Sequence, residues 1–150
     1  MLDRKDRQIL QSLQHNGRIS NADLASEVNL SPTPCLRRVR KLEQEGYIRQ
    51  YTALLNNEKL GMNITALAFI KLEKNTADNA RLFEQAIRRF ARIQECSSIT
   101  GEHDYLVKVL AESLPDYDRF IKEELANIPQ VTGIESTIIL NQIDTATADI

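Results

Sequence analysis

Cysteine is scarce in this chain. Its 150 residues hold two, Cys35 and Cys96, far apart in sequence. Two isolated cysteines cannot build a disulfide framework, and they fit a reducing, cytoplasmic setting. Neither C-x-x-C nor H-x₃-H spacing occurs, so Cys96 and His103 do not make a metal site and no metal is expected. No apolar run approaches the roughly 18 residues of a membrane span. The opening Met1-Leu2-Asp3-Arg4-Lys5-Asp6 carries acids and lacks an apolar stretch, so it does not read as a secretory signal. What is present is ordinary for a globular protein: 42% apolar and 27% charged residues in 17.1 kDa. That rules out wholesale disorder and suits one compact domain or two small ones.

Charge is low overall but unevenly placed. The net charge is -2, which taken alone argues against a nucleic-acid partner. Residues 1–50, however, carry nine Lys/Arg against six Asp/Glu, and the remainder ten against fifteen. A basic third on an acidic remainder suggests a division of labour.

The first 46 residues accommodate three helical segments. The first runs from about Asp3 to His15, with Asp3 as cap, Asp6 in the first turn, and Ile9, Leu10 and Leu13 on its apolar face. Asn16-Gly17 is expected to end it in a left-handed conformation. The second starts at Ser20, with Asp23 at N3 and Leu24, Ala25 and Val28 facing inward. The third starts at Ser31 with Pro32 at N1, where a missing N–H costs nothing. Leu30 can staple onto Cys35, and Cys35, Val39 and Leu42 share one face. Gly46 ends the helix.

The surface of the third segment is the informative part. Arg37, Arg38, Arg40 and Lys41 lie within five residues, and no acid occurs between Ser31 and Leu42. A solvated helix face normally mixes signs. A short helix, the tight link Asn29-Leu30 and a capped basic helix together describe a helix-turn-helix. In that motif the start of the second helix enters the major groove. Here that end carries Ser31, Thr33 and Pro34, followed by arginines able to fork onto guanine or hold phosphate.

These residues carry a resemblance. Asp3…Asp6…Ile9-Leu10, then Asn16-Gly17-Arg18-Ile19-Ser20, then Leu30-Ser31-Pro32-Thr33-Pro34-Cys35-Leu36-Arg37-Arg38-Val39-Arg40-Lys41-Leu42-Glu43 is similar to the Lrp/AsnC (leucine-responsive/asparagine regulator, "feast/famine") family. The Ser-Pro-Thr-Pro-Cys run is its most specific part.

Residues 48–55 alternate and contain Tyr, Thr and Ile, so they read as a strand, and 56–63 read as a linker. The resemblance implies that this region joins two domains and that its strand helps pair protomers. Beyond it, strands are expected at 64–72, 93–100, 105–111 and 131–140, and helices at 78–90 and 115–127. Leu82, Phe83, Ala86, Ile87 and Phe90 face inward from the first helix, and Phe120, Ile121, Leu125 and Ile128 from the second. A faint repeat at an offset of 38 residues relates Phe83 to Ile121, Ile87 to Leu125, Phe90 to Ile128, Ile93 to Val131 and Ser98 to Ser136. Two βαβ halves make a ferredoxin-like βαββαβ sandwich. Its strands are apolar on both sides: Leu67 and Phe69 against Ala68, Ile70 and Leu72, and Leu106 and Leu110 against Tyr105, Val107 and Val109. A monomer would expose one of those faces, so a twofold dimer built sheet to sheet is expected.

The turn Gly101-Glu102-His103-Asp104, followed by Tyr105-Leu106, resembles the family's G-x-x-D-Y-L loop. Gly101 permits close backbone approach, free N–H groups can meet a carboxylate, and Asp104 can accept an ammonium. Equally, Asp104 can satisfy its own backbone in a tight turn, and Tyr105 can be plain sheet core. The resemblance implies a free amino-acid effector bound near Gly101, Glu102, His103, Asp104, Tyr105 and Ser136, and dimers assembling into an octamer. The tail from Asn141 to Ala146 lacks the basic residue usual in relatives, which removes the basis for a tail contact.

Three rivals compete. His103 between Glu102 and Asp104 suggests acid–base work, but no nucleophile lies beside it, so an enzyme is not expected. The βαββαβ order also describes RNA-recognition modules, but the third strand lacks their Gly-Phe-Gly-Phe sequence. A small-molecule sensor that does not bind DNA is the third.

The expected class is therefore α+β: a helix-turn-helix (winged-helix-like) domain at 1–50, a strand and linker at 51–63, and a ferredoxin-like amino-acid-binding and oligomerisation domain at 64–150. The expected function is a sequence-specific regulator binding double-stranded promoter DNA through Ser31, Thr33, Pro34, Arg37, Arg38, Arg40 and Lys41. Its binding or assembly is modulated by a free amino acid; the alternative within the family is a regulator needing none. No cofactor and no membrane partner are expected. Charge reversal at Arg38 is expected to cost more affinity than at Arg49.

Overall fold

The computed structural model describes residues 1–143 and 145. Asp144 and Ala146, part of the atypical tail, lie outside the described residues. The chain divides into two compact units, Met1–Leu54 and Leu55–Gln142.

The first unit is three helices: α1 (Arg4–His15), α2 (Asn21–Glu27) and α3 (Pro32–Gln44). Ile9, Leu24, Ala25, Val28, Cys35, Val39 and Leu42 form its core, with Leu10, Leu13 and Leu30 packed around it. The inward faces expected from periodicity are thus the ones buried. Asp3 caps α1 in a reciprocal capping box with Asp6. Ser20 caps α2 by accepting from the Asp23 N–H. Ser31 sits at the N-cap of α3, but its side chain makes no capping bond. Gly46, at φ +78°, ends α3: the Tyr47 N–H reaches the Leu42 carbonyl and the Gly46 N–H the Glu43 carbonyl.

Two local expectations need correction. Asn16 ends α1 in an extended conformation, φ -143°, and not a left-handed one. The left-handed residue is Asn29, φ 54°, in the link between α2 and α3. Residues 48–55 form no strand. Their composition suits one, but a strand needs a neighbour to bond with, and no described strand pairs with them.

The second unit begins with a short 3-10 turn, Glu58–Leu60, closed by Gly61 at φ 82°. It continues as β1 (Ile64–Leu72), α4 (Ala77–Ile87), β2 (Ile93–Ser98), β3 (Tyr105–Ala111), α5 (Leu114–Glu123) and β4 (Val131–Ile138). The sheet order is β2-β3-β1-β4, and every pair is antiparallel. This is the expected βαββαβ sandwich. Ile93 and Val131, matched by the repeat, open β2 and β4.

Both helices end earlier than periodicity indicates. After Ile87 the chain tightens into i→i+3 bonds, Arg89 to Ala86 and Phe90 to Ile87. After Glu123 it leaves helical geometry at Glu124 and makes a 3-10 turn at Leu125–Asn127. Pro129 then requires Ile128 to be extended.

Ala66, Ala68, Ile70 and Leu72 of β1 and Tyr105, Val107, Val109 and Ala111 of β3 are buried with Phe83, Ile87, Tyr117, Phe120 and Leu125 of the helical layer. Strand alternation then places Leu67, Phe69, Leu106 and Leu110 on the face without helices, where all four are half-buried.

Candidate functional site

The start of α3 is tied to the start of α2, and the end of α2 to α1. The Asn21 amide donates to the Pro32 carbonyl at 2.9 Å. The Lys5 ammonium donates to the Val28 carbonyl at the end of α2. Together with buried Cys35, Val39 and Leu42, they leave one face of α3 to solvent. That face carries Thr33, Leu36, Arg37, Arg40, Lys41 and Gln44, which together line a shallow depression. All six are exposed. Their spacing is one helical face, and it holds three cations and no acid.

Of the seven residues expected to meet DNA, Thr33, Arg37, Arg40 and Lys41 therefore share this face. Ser31 is exposed and Pro34 half-buried, both at the helix start. Lys41 also lies 3.8 Å from Glu45, a loose pair one turn on.

Arg38 is different. A helix turns roughly 100° per residue, so Arg38 points well away from Arg37. Its Nη1 donates to Asp3 Oδ2 at 2.6 Å and to Asp6 Oδ1 at 2.7 Å. The structure thus places it against α1 and not on the exposed face. The Asp6 N–H, then Arg38, hold the Asp3 carboxyl below its usual range. Leu36 and Gln44 complete that face at i+3 and i+11 from Thr33, positions that a reading guided by charge did not single out. Gln44 can donate and accept along a base edge.

In the second unit the six residues expected around an effector do not converge in one chain. Gly101, at φ 107°, and Glu102 are exposed in the β2–β3 turn. His103 lies on the open sheet face, its ring 5.6 Å from that of Phe69 and its Nε2 3.4 Å from Glu135 Oε2. Tyr105 and Ser136 face the helices. The Tyr105 hydroxyl donates to Glu84 at 2.7 Å, and its ring packs tilted against that of Phe83, centroids 4.6 Å apart. Burial, then Glu84, push its phenol well up. Ser136 shares a 2.7 Å hydrogen bond with the Tyr117 hydroxyl.

Asp104 is 6% exposed. Its Oδ2 accepts from the Leu72 N–H at 2.8 Å and its Oδ1 from the Asn75 amide at 3.0 Å. Its own N–H bonds the Ile70 carbonyl at 2.8 Å, and Lys71 Nζ lies 3.8 Å away. The carboxylate therefore fastens the end of β1 to the β2–β3 turn. It neither turns back on its own backbone nor stands open to solvent.

Comparison with known proteins bears on both units. The family model described as the Lrp/AsnC ligand binding domain matches residues 65–149, and that of a winged helix-turn-helix DNA-binding domain matches residues 2–49. The chain is 36% identical over 141 residues to the transcriptional regulator AzlB of Bacillus subtilis, covering 94% of this chain and 90% of that one. It is 39% identical over 142 residues to the leucine-responsive regulatory protein of Escherichia coli K12, covering 95% and 87%. Its fold is similar to that of a Neisseria meningitidis transcriptional regulator solved in complex with L-Met. There the TM-score is 0.92 and the identity 34%, over 98% of this chain and 95% of that one. With an acid-free helix face on the first unit and a ferredoxin-like sheet in the second, matched along nearly its whole length, the chain belongs to the Lrp/AsnC family of DNA-binding transcriptional regulators.

Proposed function

We propose that this regulator reads double-stranded promoter DNA with the exposed face of α3, and that a free amino acid bound by the second unit modulates that binding. Residues 1–50 serve as the DNA-binding domain, 51–63 as the connection, and 64–150 as the effector and oligomerisation domain. The observation that carries the reading is the single face bearing Thr33, Arg37, Arg40 and Lys41 without an acid. Thr33 lies nearest the helix start and contacts bases; Arg37, Arg40 and Lys41 hold phosphate. Ser31 and Pro34 shape the first turn.

The effector meets the turn Gly101-Glu102-His103, whose N–H groups suit a carboxylate. Asp104, Tyr105 and Ser136 hold the strands that carry it. Supporting this reading, the Neisseria meningitidis regulator was solved with L-Met. The working form is a homodimer that assembles to an octamer in the cytoplasm. The dimer joins the open sheet faces through Leu67, Phe69, Leu106 and Leu110, and the partner completes a site that one chain leaves scattered. The reading assigns no catalysis, no cofactor and no membrane contact.

One observation favours a second reading, a regulator that needs no effector: both Asp104 oxygens already accept protein donors. A thermal-melt panel against the twenty amino acids separates the two. A ligand at a hundredfold over its dissociation constant adds about 2.7 kcal/mol, on the order of 5–10 °C for a chain of this size. A shift with one chemical class supports the first reading, and a flat panel with intact DNA binding supports the second. Loss of salt-sensitive duplex binding by the wild-type protein would overturn both.

A further inference from the structure

The cation Arg38 is the one basic residue of α3 that does not share its exposed face, and the reason is specific. Asp3 and Asp6 each use one carboxylate oxygen for the capping box of α1. Asp3 Oδ1 accepts from the Asp6 N–H at 2.8 Å, and Asp6 Oδ2 from the Asp3 N–H at 3.2 Å. The remaining oxygen of each accepts from the same Arg38 nitrogen. All four oxygens are therefore engaged. The cap of the first helix and the anchor of the third are one network.

From this geometry we infer that Asp3, Asp6 and Arg38 form a clasp that positions the DNA-reading helix, and that Arg38 itself touches no DNA. The inference rests on the proposed DNA-reading face of α3. Hydrophobic packing of Cys35, Val39 and Leu42 is non-directional and leaves α3 free to slide or rotate slightly. The clasp removes that freedom. It ties the second turn of α3 to the N-terminus of α1 through charge-assisted bonds, which are short and directional. Asp6 is buried and Arg38 half-buried, so solvent screens that arm less than a surface pair, while Asp3 is exposed. Two acids on one guanidinium leave an excess negative charge, which the positive end of α1 accommodates.

The inference reverses the earlier expectation for Arg38 and separates it from Arg37 by sign. If Arg38 held a phosphate, removing the acids that occupy it would free a cation and tighten DNA binding. If it is a clasp, removing those acids weakens binding. Asp3→Asn with Asp6→Asn is the informative variant, because Asn still caps a helix.

The experiment measures affinity against salt for a duplex selected from a random pool by the wild-type protein. The set is wild type, Arg37→Ala, Arg38→Gln, Arg38→Lys and Asp3→Asn/Asp6→Asn, each checked for folding by circular dichroism at the assay temperature. Arg37→Ala should flatten the slope of log K against log salt by about 0.9, one phosphate. Arg38→Gln and the double Asn variant should each weaken binding on the order of tenfold, by 1.4 kcal/mol at that ratio, with slopes close to wild type. Their combination should be no worse than either alone, since they break one network. Arg38→Lys should recover part of the loss.

Tighter binding by the double Asn variant, or a slope lowered by Arg38→Gln as much as by Arg37→Ala, overturns the clasp. An Arg37→Ala protein with unchanged affinity and slope overturns the reading face instead. If Arg38→Gln fails to fold, the sign of the effect in the double Asn variant decides alone.

Discussion

Asp104 belongs to the same loop as the proposed ligand contacts, yet its oxygens are engaged by Leu72 at the end of β1 and by Asn75 just beyond it. Asp104→Ala should therefore cost about 2–3 kcal/mol of unfolding free energy, the usual loss when a buried, charge-assisted pair of bonds goes. Asp104→Asn keeps an acceptor for the Leu72 N–H and should cost about 1 kcal/mol. Urea melts without added amino acid check this, because a residue acting only on ligand would leave them unchanged. The loop's family pattern was legible in Gly101-Glu102-His103-Asp104-Tyr105, but the partners of Asp104 were not. They lie 32 and 29 residues away, and spacing within a loop says nothing about them. Arg38 teaches the same lesson. Its basic neighbours are visible in the sequence; the two acids that claim it are on another helix, 35 and 32 residues upstream.

Helix starts were readable element by element, since caps are local chemistry. Asp3 and Ser20, expected as caps, accept N–H bonds from their own first turns; Ser31, also expected, makes no such bond, and Thr76 and Ser113, not singled out in the sequence, do. Two carboxyls at such starts are held below the usual 3.8, which makes their contribution acid-sensitive. The Asp6 N–H leads for Asp3, and the Glu112 N–H leads for Asp116, with Arg92 adding to the latter. A lowered folded-state value means the unfolded chain binds protons first as pH falls. The stabilisation is thus complete above about 3.8 and is lost as pH drops through the lowered values. Asp116→Asn should flatten the acid arm of a stability-against-pH curve measured by urea melts, leaving the neutral arm parallel to wild type. Segment 48–55 was read as a strand and forms none, because pairing is a property of two segments and propensity of only one. Leu54, at 97% exposure, shows what that segment lacks in a single chain.

Over the whole molecule, the order of elements and the two halves of the sheet were legible because periodicity repeats along the chain. For assembly, the apolar second face of the strands pointed to a sheet-to-sheet dimer, while the octamer came only from the family resemblance. The sheet-to-sheet dimer predicts that Phe69→Lys, placed where Phe69 pairs with Leu106 and Glu135, lowers the assembly mass in light scattering. The core beneath should stay folded, since Ala68 and Ile70 beside it face the helices. An unchanged mass would move the dimer contact elsewhere. DNA affinity should fall with it, because two linked half-sites bind with an avidity that one cannot reach. The salt slope per protomer should stay the same, since the cations proposed to set it lie on α3.

The helix proposed to read DNA opens Ser31-Pro32-Thr33-Pro34. Each proline holds its φ at about -65° in the unfolded chain as well as in the folded one. Among residues 32–34 only Thr33 retains an amide hydrogen, and a first turn has no intrahelical use for the other two. The segment proposed to meet the groove therefore keeps its shape in the absence of a target. Little ordering entropy is left for the moment of contact. Recognition at that end becomes a matter of fit between two surfaces that already exist.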